Sequence, residues 1–256
     1  MSTRSRIAIK QKDNTYKSIY CHSDGYPSYN GVILKNCYSD PVKLNMLLNL
    51  GDISSLNERL IPELNKVHSF SNSQKYTTVA YHRDREEELH FKTHDTIDDL
   101  IKYTCESDQE YLYVFDNNKW KFAKTNFKQP DLVEFEDLEE YIKSNNLQEV
   151  SNTSIEDELA SNIVCYAKDF DQYDFNDQYR NEEEAIEQTK KDLTDKHRID
   201  EMIKWLGNDI IYLATEKGLD NTETSKLSYN AFQIINDLSI YSNVCEKVKD
   251  NQELEL

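Results

Sequence analysis

The sequence predicts an α+β protein, an N-terminal antiparallel sheet with flanking helices followed by a mostly helical, acidic C-terminal region. Three observations predict it. Short alternating apolar–polar runs separated by turn formers fill the first half of the chain and stop before about residue 150. Beyond that point apolar residues recur at helical spacing. The charge divides in the same direction: residues 1–94 carry 13 Lys+Arg against 10 Asp+Glu, and residues 95–256 carry 17 against 38. The reading is an α+β domain over 1–148 and an acidic helical region over 149–256.

Taken in order, Arg6-Ile7-Ala8-Ile9-Lys10 and Lys17-Ser18-Ile19-Tyr20-Cys21-His22 flank Lys12-Asp13-Asn14-Thr15 and predict a hairpin. Ser23 to Gly31 is dense in turn formers. Ser39-Asp40-Pro41 starts a helix, with a cap before a proline whose missing N–H is harmless there, and Gly51 stops it. Residues 57–75 are polar and irregular. Thr77 to His82 reads as a strand and Glu88 to Lys92 as a weaker one. Thr96 and Asp99 form a capping box for a helix through Tyr103. Glu110–Phe115 and Lys119–Lys124 around Asp116-Asn117-Asn118 are the clearest hairpin, and Phe135–Ser144 is a short helix. Thr153/Ser154 caps a helix carrying Leu159, Ile163, Val164 and Ala167. Phe170 to Tyr179 reads as an acidic-aromatic loop. Glu182 to about Leu213 reads as one long helix with Gly207 as its weak point. Thr222 to Val248 is the last helix, with Leu227, Phe232, Ile235, Leu238, Ile240 and Val244 as its core positions.

Composition narrows the function classes. No run approaches the ~20 apolar residues that span a bilayer, and the N-terminus lacks the apolar segment of a signal peptide, so the expected location is the cytoplasm, with no membrane partner. Five widely spaced cysteines without a CxxC pair read as free thiols. The net −21 of residues 95–256 argues against direct nucleic-acid binding by that region, because phosphates are repelled. It favours a partner with a basic surface.

The residues Ser2-Thr3-Arg4-Ser5-Arg6-Ile7-Ala8-Ile9, Ser18-Ile19-Tyr20-Cys21-His22-Ser23-Asp24-Gly25-Tyr26-Pro27-Ser28-Tyr29-Asn30-Gly31, Leu50-Gly51-Asp52-Ile53-Ser54-Ser55-Leu56 and Arg83-Asp84-Arg85-Glu86 resemble a group of uncharacterised proteins of bacteriophages, prophages and plasmids. The resemblance covers roughly residues 2–90, with Ser23 standing where the group carries a tryptophan. It implies a mobile-element origin and, by association, a host protein as target; it transfers no catalytic residue.

Glycine-rich phosphate loops, nucleophile elbows, zincin helices and EF-hand loops are absent from the sequence, and five glycines leave little room for a phosphate cradle. No cofactor and no metal is expected. Cys21, His22, His82, His90 and His94 have poor spacing for zinc, and Cys21 and His22 would point to opposite faces of a strand. His22, Asp24, Tyr26, His82, Arg83 and Arg85 form a candidate N-terminal polar site for an unfamiliar enzyme acting on a nucleotide or nucleic acid. Asp169, Asp171, Tyr173, Asp174, Asp177, Tyr179, Glu182, Glu183 and Glu184 form the candidate partner-binding surface. There carboxylates interleave with aromatic rings, as in a protein that imitates DNA and blocks a defence or nucleic-acid enzyme. A solvated helix face gives the same pattern. Pairing of the long helices between chains, making a homo-oligomeric structural module, is a third reading.

Overall fold

The computed structural model describes residues 2–126, 128–217 and 222–253. The chain forms two compact units. The first holds residues 1–60 and 67–153, the second 61–66 and 154–256. Six residues from the middle of the sheet region of the sequence, 61–66, belong with the helices of the second unit.

The first unit is built on β1 (Ser5–Lys10) and β2 (Tyr16–Cys21), an antiparallel hairpin. Its turn is set by Asp13, whose carboxylate accepts from the Thr15 backbone N–H (3.0 Å), and by Asn14 in the left-handed region (φ 64°). A π-helical turn, Pro27–Gly31, leads into α1 (Val32–Cys37) and then α2 (Pro41–Asn49). Asp40 caps α2 by accepting from Lys43 N–H at 2.8 Å, a contact worth about 1 kcal/mol. Then come β3 (Ile53–Ser55), β4 (Val79–Ala80), α3 (Tyr81–Arg85), β5 (Lys92–His94) and α4 (Ile97–Glu106), capped by Thr96. The hairpin β6 (Tyr111–Asp116) and β7 (Lys119–Lys124) closes through Asn117 and Asn118, both at positive φ, the geometry a two-residue turn demands. Finally β8 (Glu136–Asp137) runs into α5 (Leu138–Ser144).

The sheet is mixed, not purely antiparallel as the alternation suggested. Its order is β4-β3-β2-β1-β6-β7-β8, with β5 also on β2. β1 pairs β6 in parallel, and β2 pairs β3 in parallel at Cys21 and Ile53. Alternation reports which face is buried, and carries no information on the direction of a distant partner strand. β1 is central and buried on both faces. On one face Ala8, Tyr16, Leu112 and Val114 pack with Leu100 of α4. On the other, Tyr113 stacks on Phe122, which meets Tyr141 of α5, and the Trp120 indole N–H donates to Tyr38 O (3.2 Å).

Two predicted strands change. Thr77–His82 shrinks to β4 because Asp84 accepts from Ala80 N–H (2.7 Å) and turns the chain into α3. The weak strand at Glu88–Lys92 moves on to Lys92–His94, in register with Tyr16–Ser18.

The second unit contains α6 (Ile155–Phe170), α7 (Gln172–Gln178), α8 (Glu182–Asp192), α9 (Lys196–Tyr212) and α10 (Thr222–Glu253). Ser154 caps α6, accepting from Asp157 N–H at 3.1 Å. Buried Ile155, Leu159, Ile163 and Tyr166 make the inner face of α6, and Ala231, Ile234, Leu238, Tyr241, Val244 and Val248 that of α10. Residues 61–66 are held to α6 by side chains acting as backbone partners. The Glu158 carboxylate accepts from Ile61 N–H (2.8 Å), Asn162 accepts from Leu64 N–H (3.1 Å), and its amide donates to Pro62 O (2.9 Å).

Three helical expectations are corrected. The acidic-aromatic run is helical, not a loop: Asp171 caps the Asp174 N–H (3.1 Å), Gln178 donates to Asp174 one turn back (2.8 Å), and Phe175 is buried. The long helix after Glu182 breaks at Leu193–Asp195, where Asp195 caps His197 N–H (2.9 Å), while Gly207 lies inside α9. Phe232, expected in the core, is 61% exposed, because the buried stripe of α10 passes through Ala231 and Ile234.

Candidate functional site

In the second unit α6, α7, α8 and α9 wall a solvent-open cavity of about 390 Å³. Its apolar wall comes from Ile163, Val164 and Ala167 of α6 and Met202 of α9, and its rings are Phe170, Phe175, Tyr179 and Trp205. Its polar lining is Asp171, Asp174, Gln178, Thr189 and Asp192, and no basic side chain is among the lining residues. The geometry follows from α7. Phe175 is buried with Val164 and Ala185, and Tyr179 lies 5.4 Å from the Phe175 ring. That anchor turns Asp174 and Gln178 along the mouth. Trp205 stands edge-on to Tyr166 at 5.9 Å and is 36% exposed.

Of the nine residues expected to bind a partner, Asp171, Asp174 and Tyr179 line this cavity. Asp169, at the end of α6, accepts from the Asn65 amide (2.7 Å). Asp177 is exposed on α7. The side chain of Tyr173 lies outside the described residues. Glu182, Glu183 and Glu184 occupy the first turn of α8, where carboxylates favour the helix dipole. Glu182 pairs with Lys168, and Glu184 with Arg180 at 3.0 Å. Asp169, Asp174, Asp177 and Glu183 have no ion-pair partner among the described residues. Met202, Trp205, Thr189 and Asp192 were missed because they reach the cavity from α8 and α9, across turns no local pattern reveals.

The six N-terminal candidates are engaged by their own neighbours. The His22 Nδ1 and Tyr20 hydroxyl share a hydrogen bond (2.8 Å), and Asp24 accepts from the Tyr26 hydroxyl (3.3 Å). His82 Nδ1 contacts Glu87 O (2.7 Å), and Arg85 pairs with Glu87 (3.1 Å). Arg83 donates to Asp84 (2.7 Å), Leu60 O (2.6 Å) and Thr78 O (2.6 Å), so it ties loop to strand instead of facing a ligand. Burial pushes the Asp84 carboxyl up, but hydrogen bonds from His68 and Arg83 outweigh it and hold it well below the usual carboxylate range. Among the described residues no hydrogen bond or ion pair joins His22 or Asp24 to His82, Arg83 or Arg85. Cys21 is buried, and burial pushes its thiol up to about 11, the reverse of a nucleophilic thiolate. Among the described residues no three His, Cys, Asp or Glu side chains gather as a metal set.

The sheet does hold one polar cluster the sequence did not flag. Arg6, 2% exposed, donates to the Gln109 side-chain oxygen (2.7 Å) and the Ser18 hydroxyl (2.9 Å), and stacks over Tyr103 at 4.7 Å. Ser18 also meets His94 Nε2 at 2.9 Å. Burial, then the charges of Arg6 and Lys92, push His94 down to about 4, so at neutral pH it is an uncharged partner. The arrangement satisfies a buried guanidinium with neutral groups and reads as a structural tie between β1, β2, β5 and α4.

No helix among the described residues is long and apolar enough to cross a membrane. Set beside protein-family models, curated proteins and solved structures, the chain finds no match in any of the three.

Proposed function

We propose that this protein is an interaction protein that occupies a basic surface of another protein, of the kind that otherwise holds nucleic acid, through its acidic helical unit. The observation that carries the reading is the set of exposed carboxylates without a cationic partner, Asp169, Asp174, Asp177 and Glu183, on successive helices beside a ring-lined cavity. Carboxylates already paired on their own surface contribute little to a partner; unpaired ones are available for complementarity. The dispersed engagement of the N-terminal candidates favours this over an enzyme site on the sheet.

The test is capture of partners at low and high salt by the native chain and by a variant carrying Asp169→Lys, Asp171→Lys, Asp174→Lys and Asp177→Lys, with each captured protein then assayed for displacement of its nucleic acid. The expected result is a stoichiometric partner lost at high salt, lost in the variant, and stripped of nucleic acid by the native chain. A partner held equally by the variant, or one whose nucleic acid stays bound, removes the acidic surface from the function.

A further inference from the structure

We infer that the cavity walled by α6, α7, α8 and α9 is the seat of one arginine side chain of the partner; this rests on the reading above and names its anchor. The lining sets the chemistry of the occupant. Asp171, Asp174 and Asp192 bring negative charge to a space whose remaining walls are aliphatic and aromatic, with no Lys, Arg or His among them. A neutral apolar occupant would leave Asp174 and Asp192 partly desolvated with no cation to compensate them. An anion would be repelled.

Most cations on the surrounding helices are committed elsewhere, and Lys191 and Lys204, which make no ion pair among the described residues, are not among the lining residues. Lys168 pairs with Glu182, Arg180 with Glu184, Lys190 with Asp157 and Glu187, Lys196 with Glu246, and Arg198 with Glu201. Asp174 and Asp192 instead accept from neutral amides, Gln178 at 2.8 Å and Gln188 at 3.1 Å, and neither makes an ion pair among the described residues. A cation from outside fits that vacancy.

Size and shape choose arginine within the class. A volume of about 390 Å³ is at the small end of ligand cavities, enough for one long side chain and not for a folded element. The aliphatic arm of arginine suits Ile163, Val164 and Ala167. Its planar head takes carboxylates bidentately and stacks on rings such as Trp205 and Tyr179, which a compact, strongly hydrated ammonium does less well.

The experiment uses the full chain and two lysine-rich peptides of equal charge, identical except that one carries a single central arginine in place of lysine. Binding is followed by labelled-peptide anisotropy at physiological salt and by Trp205 emission. The other tryptophan, Trp120, is 3% exposed and supplies a constant background. The expected result is about tenfold tighter binding of the arginine peptide with a change in Trp205 emission, and loss of that preference in Asp174→Asn/Asp192→Asn. Asp177→Lys/Glu183→Lys, outside the cavity, should weaken both peptides alike. Equal binding of the two peptides, tighter binding of the lysine peptide, or a preference that survives Asp174→Asn/Asp192→Asn would overturn the arginine seat while leaving the acidic-surface reading intact. Failure of both peptides to bind would overturn both.

Discussion

Replacing Asp209 by asparagine isolates the cost of one buried charge. Asp209 lies on α9, is 7% exposed, and accepts a hydrogen bond from the Tyr166 hydroxyl at 3.2 Å. Burial pushes its carboxyl up to about 6, with the Tyr166 bond pulling back the other way. In the unfolded chain the same group titrates near ~3.9. Between those values the folded state holds more protons than the unfolded one. Stability from this group is therefore fully present below about pH 4, falls as pH rises to about 6, and stays low above. Two units of difference correspond to about 3 kcal/mol. Asparagine keeps an acceptor for Tyr166 and carries no charge. The variant should be more stable than the native chain by about 2–3 kcal/mol at about pH 8, with the gap closing by about pH 4. Urea unfolding followed by far-UV circular dichroism across that range measures it, and taking the difference between the two proteins cancels the other carboxylates. A gap independent of pH, or a variant less stable at about pH 8, would refute the argument that Asp209 is an uncompensated buried acid.

Two substitutions test the packing that positions the rest. A Cβ at Gly25 would lie 2.8 Å from the Arg4 carbonyl carbon and from the Ser5 Cβ, so Gly25→Ala should lower thermal stability by about 1–3 kcal/mol, and an unchanged Tm would show that β1 yields more easily than its central place implies. Phe175→Ala removes the anchor of α7 from its contacts with Val164 and Ala185, at a cost of about 3 kcal/mol. Hydrogen exchange over Gln172–Gln178 should become fast while α10 stays protected, and uniform protection would mean that the helix stands without its ring.

Local chemistry was legible in the sequence where it acts over a few residues. Asp40, Thr96 and Ser154 each cap the helix expected of them, and Asn117-Asn118 makes the turn that joins β6 to β7. What stayed hidden depends on partners far along the chain. The parallel pairing of β1 with β6 leaves no mark on the alternation of either strand. The run Phe170–Tyr179 looks like low complexity because its aspartates dominate, yet Asp171 as a cap and Phe175 as a buried anchor make it helical. The same run held Asp171, Asp174 and Tyr179 of the cavity, while Trp205 and Asp192 come from helices whose fold-back no periodicity encodes. Arg83 showed the opposite failure. A charge cluster at a strand end resembles a ligand site in sequence, and proves to be a brace for its own loop.

The second unit is not one continuous stretch of chain. Residues 61–66 leave the ribosome some ninety residues before Ser154, and the helix they serve does not yet exist. During synthesis those six residues must wait with their backbone groups exposed to solvent. Ile61 and Leu64 N–H meet Glu158 and Asn162 only when α6 has been made. The order of manufacture therefore makes completion of the helical unit a late event, and a gene fragment starting at Ser154 would encode helices stripped of an edge that the native chain supplies from its own first half.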